Sequence, residues 1–275
     1  MKLFDSHAHL DDEKFDEDRD IIIEEIHKCD VEKFVSAGYS LEGSKKAIEL
    51  SKKYDFIYAT AGISPNDIPQ TKEELWKMLA EIEQMALENK IVTNNENETS
   101  TNEICVKKQL ETNKKKLVAI GEIGLDYYWN KDNKELQKEA FIEQIRIANK
   151  LDLPIVIHTR EAIMDTLQIL KENPVNKKGI FHCCPLNREL VKEALKLNFY
   201  ISFCGPVTFK NSKNAVEIIE MVPNDKMLIE TDSPYLSPEP LRGRRNDPRN
   251  VKYVAQKIAV VKGLETEQIA DSTYK

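Results

Sequence analysis

Four of the chain's five histidines, His7, His9, His158 and His182, stand with Glu122 and Asp232 where short apolar runs end. His7 and His9 are two residues apart, and in extended backbone such a pair points to one face, so both imidazoles can reach one cation. Glu122 ends Ala119-Ile120-Gly121-Glu122, His158 ends Pro154-Ile155-Val156-Ile157-His158, His182 follows Gly179-Ile180-Phe181, and Asp232 follows Ile229-Glu230-Thr231. A lone strand-end histidine is more often a satisfied hydrogen-bonding group than a ligand. Glu122 alone would read as a salt-bridge partner, and Asp232 alone as a turn residue before Pro234. None of these readings explains six such residues at equivalent places. Mixed imidazole and carboxylate donors suit zinc, manganese, magnesium or nickel, since affinity is set by geometry and supply. Six donors exceed what one tetrahedral ion needs, so the set predicts two divalent metal ions bridged by a carboxylate.

Such convergence needs a scaffold that brings distant segments to one end. β-rich runs occur at Leu3–His7, Lys33–Gly38, Phe56–Gly62, Leu117–Glu122, Pro154–His158, Gly179–Cys183, Phe199–Phe203 and Lys226–Glu230. Between them lie charged segments with helical apolar spacing, most clearly Ala140, Ile142, Ile145, Ala148 and Leu151. Eight alternations predict an α/β fold, a (β/α)8 TIM barrel in a single domain over 1–275, with its chemistry at the C-terminal strand ends. A doubly wound open sheet would need fewer strands. The run TNNENETSTNE at Thr93–Glu103 holds nothing for a core, so about 89–116 reads as an exposed low-complexity insertion with one short helix near Ile104 to Leu110. The fifth histidine, His27, falls in the first helical segment and reads as a surface residue.

Composition narrows the partners. The 275 residues carry 40 Lys+Arg against 47 Asp+Glu, a net charge of −7, which excludes a generally basic nucleic-acid module. Phosphate must therefore be met locally. Arg160 lies two residues beyond His158, and Arg242, Arg244, Arg245, Arg249 and Lys252 face only Asp247 in a loop after the eighth run. A solvated loop paired with neighbouring acids is the competing reading. Tyr128, between Tyr127 and Trp129, is a candidate base-stacking surface. No run approaches the about 18 apolar residues of a membrane span, and the N-terminus lacks a secretory apolar core, so the expectation is a cytoplasmic monomer with no membrane partner. The Asn97-Glu98-Thr99 sequon is then a chance match. Five cysteines without a CxxC pair read as reduced thiols, and Cys183 and Cys184 are weaker ligand candidates than the six above.

The stretches Phe4-Asp5-Ser6-His7-Ala8-His9-Leu10, Gly121-Glu122-Ile123-Gly124-Leu125-Asp126-Tyr127-Tyr128, Ile157-His158-Thr159-Arg160, Phe181-His182-Cys183 and Glu230-Thr231-Asp232-Ser233-Pro234-Tyr235-Leu236 resemble the signature set of the TatD-like metal-dependent deoxyribonucleases, in order and over nearly the whole chain. Arg242-Gly243-Arg244-Arg245-Asn246 is similar to that family's basic loop. The resemblance implies an amidohydrolase-like barrel that hydrolyses DNA or other esters with one or two metal ions. It would place His7, His9, Glu122 and Asp232 on one ion and Glu122, His158 and His182 on the other, with Glu122 as the bridge. It implies a 3′ exonuclease-like enzyme on single-stranded DNA ends, with Asp232 and Glu122 as the catalytic carboxylates and Asp232 orienting or deprotonating the water. The substrate contacts would be Arg160, Arg242, Arg244 and Tyr128. Alternatives are another ester or amide, such as a D-aminoacyl-tRNA ester or a lactone, and a barrel that binds without catalysis.

Three departures from the family pattern stand out. Gly62-Ile63-Ser64-Pro65-Asn66 replaces Gly-x-His-Pro-His, Cys184-Pro185-Leu186-Asn187 replaces Phe-Ser-Gly-Ser, and the sequence stops at Thr273-Tyr274-Lys275 where relatives run on through an Asn-Ala segment.

Overall fold

The computed structural model describes residues 1–91 and 115–274. Eight strands, β1 (Leu3–Ala8), β2 (Val31–Ala37), β3 (Ile57–Ala61), β4 (Leu117–Asp126), β5 (Ile155–Arg160), β6 (Gly179–Phe181), β7 (Tyr200–Phe203) and β8 (Met227–Ile229), form one sheet in chain order. Every adjacent pair from β1 to β8 is parallel. The seam between β8 and β1 is drawn together just past the strands: Asp232 N–H donates to the His7 carbonyl at 2.9 Å, and His9 N–H to the Ser233 carbonyl at 2.7 Å. The result is the expected (β/α)8 barrel, with each strand overlapping an expected run. β4 continues four residues past Glu122, to Asp126, and β6 stops at Phe181, leaving His182 in the turn that follows.

Nine α-helices lie among the described residues: α1 (Arg19–His27), α2 (Leu41–Lys53), α3 (Lys72–Asn89), α4 (Lys134–Leu151), α5 (Ile163–Glu172), α6 (Arg188–Lys196), α7 (Ala215–Met221), α8 (Val251–Lys262) and α9 (Thr266–Tyr274). Several start on side-chain caps; Ser40, Thr71 and Asn187 accept the N–H of Gly43, Glu74 and Leu190. Their apolar stripes, including the fully buried Phe141 of α4, pack on a barrel wall rich in Ile, Val, Leu and Phe, among them the fully buried Phe34, Phe181 and Phe203. His27 is exposed and its ring stacks on Phe56. The insertion expected at about 89–116, apart from its flanks, lies outside the described residues, as do the short helix expected within it and Asn97. Its flanks meet: Lys90 bridges Leu117 in parallel, and Ile91 N–H reaches the Leu117 carbonyl.

Two buried glutamines of α4 shape the catalytic end. Gln144 accepts the Ile63 N–H at 2.7 Å and donates to the Ile63 carbonyl at 3.0 Å, holding the loop after β3. Gln137 does the same for Asp126 at 2.9 and 3.1 Å, holding the end of β4. At Gly124, φ is +140° and a Cβ would sit 2.0 Å from the His158 carbonyl oxygen, so only glycine allows β4 to approach β5 this closely.

Candidate metal centre

His7, His9, Glu122, His158, His182 and Asp232 come from β1, β4, β5 and the turns after β1, β6 and β8, and the barrel brings them together at one end. The two oxygens of Glu122 face different groups. Its Oε2 lies 3.4 Å from His7 Nε2 and 3.6 Å from His9 Nε2, while its Oε1 lies 3.0 Å from His158 Nδ1 and 3.4 Å from His182 Nε2. Asp232 Oδ1 joins the first group at 3.6 Å from His7 and 3.3 Å from His9, whose Nε2 atoms are 3.1 Å apart. His158 Nδ1 and His182 Nε2 are likewise 3.1 Å apart.

The imidazole orientations follow from what lies behind each ring. His9 Nδ1–H donates to the Ala37 carbonyl at 2.9 Å, which leaves Nε2 as the lone pair aimed at the centre. His158 Nε2 lies 3.1 Å from the Asp126 carboxylate and so carries the proton there, turning a bare Nδ1 inward. His182 Nδ1 faces Glu230 Oε1 at 3.5 Å, and the ring stacks on His7 with centroids 4.0 Å apart. Asp5, fully buried, accepts the backbone N–H of His7 and of Thr231 and the Thr231 hydroxyl, tying the β1 ligands to the turn that carries Asp232. Asp232 itself sits at φ +54°, a strained value for a residue with a Cβ, held by this network.

The seven inward atoms of these six residues can each offer a lone pair, and lone pairs packed this closely repel unless a cation lies among them. A tetrahedral ion with bonds of about 2.0 to 2.1 Å spaces its donors about 3.3 to 3.4 Å apart. The five distances measured in the His7, His9, Asp232 and Glu122 Oε2 group run from 3.1 to 3.6 Å. The donor set thus fits a metal. In its absence protons take the cation's place. Burial works against charge on His9, yet the Asp232 hydrogen bond and the Asp232 and Glu122 charges push its pKa up to about 9. His182 is likewise raised, against burial, by Glu122 and Glu230. Burial would raise Glu122, but the imidazoles of His182, His158 and His7 hold it well below the usual range. Asp232 is lowered by His9 against the same burial cost, so it stays ionised.

A cavity of about 860 Å³ opens above these residues. Its wall includes Ser64, Asn66, Asp67, Trp129, Asn130, Arg160 and Tyr235. The Arg160 guanidinium lies 4.1 Å from the Tyr128 ring centre and 5.4 Å from that of Trp129, so all three form one exposed corner. Asp126 supports it from below, its Oδ1 accepting the N–H of Tyr128 and Trp129 at 2.8 and 2.9 Å. Ser64 donates to Asp67, and Asn66 sits between Asp126 and Asn130, so the two positions that depart from the histidine motif line the cavity within a polar network.

Arg242 and Arg244 are not among the cavity-lining residues, and Arg242 stacks on Phe209. In the same loop Arg245 is bidentate to Asp18, and Arg249 pairs with Asp247 and Glu25. Part of the loop's positive charge is thereby neutralised. Asp5, Asp126, Glu230 and the two glutamines had no role in the sequence reading. For the three acids the one signal was a charged side chain inside or at the end of an apolar run, a burial too costly to keep without a partner; the glutamines left none.

Residues 4–275 match the family described as TatD related DNase. Among curated proteins, the chain is 42% identical over 273 residues to the metal-dependent hydrolase YabD of Bacillus subtilis, covering 98% of this chain and 95% of that one. It is 35% identical over 280 residues to the metal-dependent hydrolase YcfH of Escherichia coli, covering 99% and 93%. Among solved structures, the TatD homologue YjjV of Escherichia coli superposes with a TM-score of 0.83 at 21% identity, covering 99% of this chain and 95% of that one, and shares the fold. With the family match extending over all six donors, the chain belongs to the TatD-related DNase family.

Proposed function

We propose that this protein is a metal-dependent hydrolase that cleaves phosphodiester bonds at single-stranded DNA ends, in the manner of a 3′ exonuclease. The observation that carries the reading is Glu122, whose two oxygens each face a separate imidazole group. His7, His9, Asp232 and Glu122 would hold one divalent ion, and His158, His182 and Glu122 the other. When bound, such ions lower the pKa of water toward about 7 and neutralise phosphoryl oxygens. Asp232, ionised and on the cavity wall, orients the attacking water and accepts its proton. Arg160 meets the phosphate, Trp129 and Tyr128 take the terminal base, and Arg242 and Arg244 lie further along the strand. A barrel mouth admits a strand end more readily than the middle of a duplex. The protein would act as a cytoplasmic monomer, and zinc, manganese, magnesium and nickel all suit its donors. Among the described residues no helix is long and apolar enough to cross a membrane.

A second reading is an ester carrying an amine, such as an aminoacyl-tRNA ester, favoured by Asp12 and Asp67 on the cavity wall. End-labelled single-stranded oligonucleotide with magnesium or manganese separates the two. Metal-dependent shortening that stops with a chelator and in Asp232→Asn supports the nuclease. Intact oligonucleotide with protein that holds two ions overturns it in favour of the aminoacyl ester.

A further inference from the structure

A third group of ligating atoms meets beside the six donors. Cys183, Cys204 and Glu230 each offer one atom, and these atoms lie within 4.8 Å of one another. Cys183 is in the turn after β6, Cys204 follows β7, and Glu230 follows β8, so three neighbouring strand ends contribute. Glu230 is wholly buried. Its Oε1 accepts the Cys183 backbone N–H at 2.6 Å, but its Oε2 has no hydrogen-bond partner among the described residues. A buried carboxylate oxygen left unpaired is costly, and a cation relieves that cost. The cysteines decide which cation. Two thiols with one carboxylate favour zinc and softer ions over magnesium or calcium. Cys204 is buried and oriented by its contact with the Thr231 carbonyl, whereas Cys183 lines the large cavity and gives an ion a route in.

We propose that Cys183, Cys204 and Glu230 form a third cation site, selective for soft divalent ions, that shares no donor with the two groups around Glu122. On binding, the Cys183 and Cys204 thiol protons leave to solvent as two sulfur–metal bonds form, and Glu230 Oε2 adds the carboxylate donor. Glu230 Oε1 continues to face His182, so this site and the six-donor centre meet at one side chain.

The test uses the full-length protein and Cd²⁺ alone, under a phosphine reductant, followed by desalting, elemental analysis and ultraviolet absorption. The wild type is expected to show a thiolate-to-cadmium charge-transfer band. Cys183→Ala and Cys204→Ala each lose that band and bind one Cd²⁺ fewer per chain, while Cys29→Ala keeps both. Glu230→Gln raises the cadmium concentration at half-saturation by roughly tenfold or more. Variants are scored once their circular dichroism matches wild type, with Cys204→Ser in place of an Ala variant that does not fold. A wild type without the band, or a band unchanged in Cys204→Ala, overturns the proposal. The readout is a difference of one ion between variants, so it stands apart from how many ions the six-donor centre takes and from its substrate.

Discussion

Around Glu122 Oε2, the ligands His7, His9 and Asp232 are stitched into the barrel seam by backbone hydrogen bonds at 2.7 and 2.9 Å and by the buried Asp5. Around Glu122 Oε1, His158 is backed by the Asp126 carboxylate, while His182 is tied by its backbone N–H to the Ile157 carbonyl at 3.1 Å and only faces Glu230 at 3.5 Å. The first group offers four donors, with His7 wholly buried; the second offers three, and the His158 side chain keeps 19% of its surface exposed on the cavity. The same residue types thus build two kinds of donor group. Closed four-donor sites retain a metal, while three-donor sites keep a position for water or substrate.

The sharpest way to break this division is to remove what the halves share. Glu122→Ala is expected to bring hydrolysis to background and to lose at least one ion, read by elemental analysis; a variant that still holds two ions would make the halves independent of the bridge. Next in size is the order of metal loss. A chromogenic chelator should strip the wild type in a fast and a slow phase. His158→Ala should keep only the slow one, and His9→Ala should lose it; the opposite assignment would reverse the roles of the halves.

A finer cut reaches the open half through its support. Asp126→Asn replaces the acceptor behind His158 Nε2 with an amide that can donate, favouring the wrong tautomer. Affinity for one of two ions should fall about 10- to 100-fold with the other unchanged. Equal weakening of both would show that Asp126 supports the end of β4 as a whole.

The smallest effect is in pH. His9 is raised from 6.5 to about 9, so its pairing with Asp232 stabilises the metal-stripped fold fully below pH 6.5, and that contribution is lost as pH rises through about 9. Urea midpoints of stripped wild type should therefore fall between pH 7 and pH 10 more than those of stripped His9→Gln. Below pH 9, loading the closed half must also expel the His9 proton, which calorimetry in buffers of different ionisation enthalpy would detect.

The six residues that meet at the barrel end and all eight strands were legible because both leave local traces. Strands of a parallel barrel are buried on both faces and read as apolar runs, and a histidine or acid at the end of such a run is conspicuous. What supports the donors is written across long separations. Asp5 is recognised only once Thr231 is beside it, and Gln144 only once Ile63 is. The ion pairs of the basic loop were hidden for the same reason. Its positive residues are adjacent in the chain, whereas Asp18 and Glu25, which pair with Arg245 and Arg249, come from the segment around α1.

The seam also sets a clock. During synthesis β1 emerges long before β8, so His7 and His9 appear ahead of Asp232 and Ser233. Their bonds to Asp232 and Ser233 cannot form until the ribosome has released the turn after β8. A nascent chain that has passed β7 carries five of the six donors and still lacks the closed half. The group around Glu122 Oε2 is thereby completed only once the turn after β8 has been made, however early its first two histidines appear.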